Sequence, residues 1–149
     1  NFEKENEFKN RFIENNIMPN LPINGAQYYY PINGTKDFSN DYFACEILCN
    51  KILTPDWAVF LSNGIKFISN DKFNDKNFIY PTNKDAIIVE NIGIFANNNL
   101  SKNGRAILEI IIEIAMRIPK NAKLKCLNAS QIHELQNWVA EKYRKSISI

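Results

Sequence analysis

Residues 86–118 read AIIVENIGIFANNNLSKNGRAILEIIIEIAMRI, and the fold turns on this stretch. Ala86, Ile87, Ile88 and Val89 open a β-branched run that resumes, after Glu90 and Asn91, as Ile92, Gly93, Ile94 and Phe95. Continuous apolar, β-branched character suits a strand covered on both faces, and a bulge is expected near Gly93. Asn97, Asn98 and Asn99 begin a polar loop that leads into a helix expected over 105–118. Within that helix Arg105, Glu109, Glu113 and Arg117 recur every fourth residue, one narrow polar stripe on an otherwise apolar cylinder. Such a helix is expected to be enclosed on nearly all sides, by a sheet on one and by another helix or a partner subunit on the other.

Toward the C-terminus, Ile118 and Pro119 end the helix, and residues 123–127 read as a short strand. Asn128 and Gln131 have capping-box spacing, and Ile132, Leu135, Trp138 and Val139 give a last helix its apolar face. Strand, helix, strand, helix in succession argues for neighbouring parallel strands. Toward the N-terminus, Asn63-Gly64 separates two apolar runs, 57–62 and 65–69, and supplies the positive φ of a type I′ turn, so a β-hairpin is expected there. Residues 70–77 read as a polar loop and 78–80 as a further short strand. Ser39 suits a helix N-cap, with Asp41 in the first turn and Phe43, Ile47, Leu48 and Ile52 at helical spacing behind it. Tyr28, Tyr29 and Tyr30, bounded by Pro31, fit a short edge strand. Residues 16–26, with Pro19, Pro22 and Gly25, read as a connector, and residues 3–15 as an amphipathic helix on Phe8, Phe12 and Ile13. The expected fold is α/β or α+β: one domain over 1–149, a mixed sheet with a central β-hairpin, and a C-terminal strand-helix-strand-helix unit.

A chain of 149 residues can bury about two thirds of its unfolded surface without disulfides or metal. Its 45% hydrophobic and 23% charged residues exclude the composition of disorder. The 23 Asn residues are the unusual feature, and they cluster where turns are expected. The net charge of +2 is uneven: residues 1–99 carry nine basic side chains against twelve acidic, residues 100–149 nine against four. Lys142, Arg144 and Lys145 suit the last turn of a helix, where cations offset the dipole, so a solvated basic face is expected here and nucleic acid is not. Three cysteines, Cys45, Cys49 and Cys126, form no disulfide framework and favour a reducing compartment. No run reaches the roughly 18 apolar residues of a membrane span. The first residue is Asn1, so a processed or trimmed product is expected.

Candidate chemistry is sparse. Cys126 and the single histidine, His133, would make a nucleophile and base only if the fold joined them. A buried cysteine acting as a small hydrophobe is the commoner case. Cys45, Cys49 and His133 have no metal-ligand spacing, and no metal is expected. Asn70, Asp71, Asn74 and Asp75 place oxygen donors in one stretch, but without the glycine and closing glutamate of an EF-hand they fit a solvated turn better. Glu90, inside an apolar run, must be paired or functional.

The run Ile87-Ile88-Val89-Glu90 resembles the opening strand of Toprim domains, whose glutamate works beside a later pair of aspartates. No aspartate follows Asp85 in this chain. From Ile92 to about Leu127 the order of strand, polar loop, glycine, helix and strand is similar to the acyl-CoA-binding core of GNAT-type acetyltransferases. That resemblance implies a pyrophosphate site for acetyl-CoA at Asn103, Gly104 and Arg105, built on backbone amides at the helix start. Asn99 stands where the family has Arg or Gln, and Lys102 where it has its first glycine.

Two readings follow. The favoured one is a non-catalytic protein-binding module, such as an inhibitor, an immunity-type protein or a complex subunit. It would bind through Tyr28, Tyr29 and Tyr30, use no cofactor, and take another protein or a second copy of itself as partner, not a membrane. The alternative is a GNAT-like acyl-CoA-dependent transferase.

Overall fold

The structure, a computed structural model, describes residues 19–138 and 145–147. The helix expected over 3–15 lies outside the described residues, as do Val139, Lys142 and Arg144. The described elements pack on one five-stranded mixed sheet in the order β1-β2-β5-β4-β3. Its strands are β1 (Leu21–Asn24), β2 (Gln27–Pro31), β3 (Ile65–Ile68), β4 (Ala86–Val89) and β5 (Gly93–Asn97). β3 and β4 are parallel and all other neighbours antiparallel. The expected α+β architecture with a central hairpin is therefore present, although different residues form the hairpin.

That hairpin is β4 and β5. The run read as one bulged strand turns back on itself at Asn91, whose φ of 67° is one that Asn tolerates better than most residues. The Ile92 N–H donates to Val89 O at 3.0 Å and closes the tight turn. Every residue of both strands is buried, as expected of a central pair.

Residues 57–69 form no hairpin. Thr54 caps a short helix, α2 (Pro55–Phe60), by accepting the Trp57 N–H at 3.3 Å, with Pro55 preset for the first turn and Asp56 favourable there. Asn63 and Gly64 carry the chain from α2 into β3, with Gly64 at φ 81°. The turn is held from the start of the neighbouring strand β4: the buried Asp85 carboxylate accepts the Asn63 N–H at 2.8 Å and the Gly64 N–H at 3.2 Å. A tertiary clasp thus uses the positive φ that alone would suit a hairpin.

β2 is an interior strand, paired to β1 on one side and β5 on the other, and not the expected edge. The edge is β1, from the stretch read as a connector; Pro22, which lacks an N–H, is tolerated there because an edge strand has one unpaired side. The helix expected to be capped by Ser39 starts later, as α1 (Tyr42–Asn50), with Asp41 accepting the Ala44 N–H at 3.1 Å. Ser39 lies in a preceding 3₁₀ turn.

One face of the sheet is covered by α1, α2 and the long helix α4 (Lys102–Arg117), around Leu48, Trp57, Ile88, Ile94, Leu108 and Ile111. The other face packs Leu21, Tyr29, Ile87 and Phe95 against residues 69–82, which include α3 (Asn70–Asn74) with Phe73 fully buried, where a polar loop was expected. Residues 78–80 pack there through Phe78 and Tyr80 without joining the sheet. Beyond α4, residues 123–127 form no strand, so the expected second strand of the C-terminal unit is missing. The Leu127 N–H donates to Ile52 O at 2.8 Å instead, and the chain enters α5 (Ala129–Asn137) through the expected Asn128–Gln131 capping box.

Candidate functional site

Strand alternation divides the three tyrosines between the two faces of the sheet. Tyr29 is fully buried on the face away from α4, and its hydroxyl donates to Pro81 O. Burial first, and the Asp85 charge after it, push its pKa up to about 12. It is a core residue. Tyr30 points to the other face, where the Arg105 guanidinium carbon lies 4.8 Å from its ring centre, within cation–π range. The fold therefore brings together Tyr30 and Arg105, which stand far apart in sequence. Arg105 also meets Glu109 at 3.0 Å. Tyr28, next to this pair, is partly exposed, and its backbone N–H donates to the Asn98 side chain at 2.9 Å. Asn97 and Asn98 brace strand ends: their amide groups donate to Lys84 O and Ala26 O, each at 3.0 Å. These asparagines are structural.

The helix entrance at Asn103, Gly104 and Arg105 is packed. Gly104 is buried, and a Cβ there would lie 2.6 Å from Leu100 Cδ1 and 3.0 Å from Phe60 O. Glycine lets the first turn of α4 approach the backbone of α2. The Gly104 N–H goes to Ser101 Oγ at 3.0 Å and the Arg105 N–H to Ser101 O at 2.9 Å, so the helix's own cap takes both amides.

Of the two covers expected for the outer side of α4, a helix of the chain is not found among the described residues. The helix leaves Ile110 52%, Ile114 40% and, on its other flank, Met116 48% exposed. The sheet, α1 and α2 take Leu108, Ile111, Ile112 and Ala115, and no other described element covers the opposite side. Glu109 and Glu113 form i,i+4 ion pairs with Arg105 and Arg117 at 3.0 and 3.3 Å. A signal for this was present: Ile110, Ile111 and Ile112 are consecutive, and at about 100° per residue three neighbours cannot all face one core. A second apolar feature is a cavity of about 620 Å³ beside α5, lined by Leu127, Leu135 and the largely exposed Trp138 among others.

The remaining candidates resolve into structural roles. Burial first pushes the Cys45 thiol up to about 12 and the Cys49 thiol up to about 11, which keeps both protonated and unreactive at neutral pH. Cys126 and His133 share no hydrogen bond among the described residues; His133 is exposed on α5 and lies 3.3 Å from Asn137. Glu90 sits in the β4–β5 turn, where it accepts the Tyr42 hydroxyl and the Asn70 N–H at 3.1 Å; these bonds, Tyr42 first, hold it below the usual carboxylate range. The Asn70–Asp75 stretch lies in and after α3, with the Asn74 amide donating to Asn70 at 2.9 Å. Among the described residues no group of three or more His, Cys, Asp or Glu could hold a metal ion, and no helix is long and apolar enough to cross a membrane. No protein-family model matches the chain, and no curated protein or solved structure is significantly similar to it.

Proposed function

We propose that this chain is a non-catalytic protein-binding module whose contact surface is the outer face of α4. The observation that carries the reading is the exposure of Ile110 and Ile114, one turn apart on the side of α4 away from the core-facing Leu108, Ile112 and Ala115. Grouped exposed apolar side chains of this size mark interaction surfaces far more often than single ones do. Tyr28, Tyr30 and Arg105 adjoin the N-terminal end of the same helix and supply the aromatic and guanidinium groups that dominate binding energies at protein interfaces. Tyr29 contributes through the core only. The packed helix entrance counts against the acyl-CoA alternative, whose pyrophosphate site would need those amides free.

The test is site-specific photo-crosslinking in the cells that make the protein. A photoreactive residue at position 110 should give a discrete adduct with one partner, and the same residue at the exposed Lys72 should not. Equal labelling from both positions, or none from 110, would defeat the reading. Thermal-shift titration with acetyl-CoA addresses the transferase alternative: no stabilisation is expected at millimolar ligand, and a saturable rise would favour that alternative.

A further inference from the structure

We infer that the outer face of α4 receives an acidic amphipathic helix from a partner protein, an inference that rests on the protein-binding reading. Ile110 and Ile114 are one helical turn apart and so form a two-anchor stripe along the helix, the pattern met by apolar residues at i, i+3 and i+4 of a docking helix. The charge around the stripe is one-sided. Residues 102–125 hold six cations, Lys102, Arg105, Arg117, Lys120, Lys123 and Lys125, against two carboxylates, Glu109 and Glu113. Both carboxylates are already paired within α4. Lys120, Lys123 and Lys125 are exposed, and among the described residues none forms an ion pair.

The segment carrying these lysines does not trail away from the helix. Leu124 packs on the same core as Ile107 and Ile118 of the α4 side, and Leu127 is tied to Ile52 by its 2.8 Å hydrogen bond. The lysines are therefore tethered just beyond the C-terminal end of α4, where they would attract Asp and Glu flanking a partner's apolar residues and speed the encounter. A second copy fits less well, because its face carries the same basic excess and no unpaired carboxylate to meet the lysines. A membrane also fits less well, because the stripe has no aromatic residue to sit at the headgroup level.

The test is selection of a phage-displayed library of randomised helical peptides on the folded chain. Enriched peptides should carry apolar residues at i, i+3 and i+4 flanked by Asp or Glu, and their binding should weaken as salt is raised. Affinity should fall about tenfold or more in I110D/I114D and in the triple variant K120E/K123E/K125E, with circular dichroism unchanged. Enrichment of neutral or basic peptides, or binding indifferent to charge reversal, would overturn the inference. So would binding to phosphatidylserine vesicles in place of peptides. If selected peptides are instead lost on Tyr28→Ala and kept by I110D/I114D and the lysine variant, this inference fails, while a specific crosslink from position 110 would keep the protein-binding reading. If no peptide is enriched and position 110 captures nothing in cells, both fail.

Discussion

Individual residues in this chain act chiefly by joining segments that are distant in sequence. Asp85 is the clearest case, because its buried carboxylate holds the Asn63–Gly64 turn at 2.8 and 3.2 Å. Burial raises its pKa above the ordinary 3.8, with the Asn63 and Gly64 hydrogen bonds and the Lys145 charge opposing the shift. A carboxyl whose folded pKa is raised binds its proton more tightly in the native state, so its contribution is fully present below its unfolded value and declines as pH rises toward its folded one. Asp85→Asn removes that decline. The Tm of the variant relative to wild type should therefore rise as pH increases from the ordinary carboxylate value of 3.8 into the mildly acid range. A difference that is flat across this range would contradict the assignment. The thiols give a second prediction at this scale. Thiolate is the reacting species, and Cys45 and Cys49 are pushed to about 12 and 11. Mass spectrometry after brief alkylation of the folded protein should find Cys126, which lies outside the fully buried core, modified ahead of both. Faster labelling of Cys45 would overturn this account of its burial.

At the scale of elements, patterns complete within one segment were legible and those settled by a distant partner were not. The long helix, its stripe at Arg105, Glu109, Glu113 and Arg117, and the Asn128 cap need only their own residues, and all three are present. The Asn63–Gly64 turn was misread because its fate depends on Asp85, and the edge position was assigned to β2 because nothing local marks Pro22 as lying in a strand. The apolar run 57–62 by itself suits a strand, and it is the Thr54 cap with Pro55 in the first turn that makes residues 55–60 a helix. The candidate site was only half legible. Tyr28 and Tyr30 stand out in the sequence as adjacent aromatics, whereas the proximity of Tyr30 to Arg105 depends on how α4 lies across the sheet. The two sides of α4 make separable predictions. Leu108→Ala on the buried side should cost about 2–5 kcal/mol in denaturant unfolding. Ile110→Lys on the outer side should cost no more than about 0.5 kcal/mol. Comparable losses at both sites would mean that the outer face is covered within the chain.

For the whole molecule, the sheet and its two apolar faces account for stability, and the outer face of α4 is left over as surface that stability does not require. The core on the helix side is closed by α1, α2 and α4, and the core on the other side by residues 69–82. Cations are concentrated at the C-terminal end of α4 and just beyond it, while the acidic excess lies in residues 1–99. This division between a closed core and an open apolar stripe followed by basic residues is the physical basis for the proposed binding role. The most direct measurement is co-purification of the cross-linked partner with wild type and with I110D/I114D, alongside the Tm of each. The account predicts Tm values within about 2 °C of one another and loss of the partner from the double variant. A partner retained at wild-type yield by a folded double variant would contradict it.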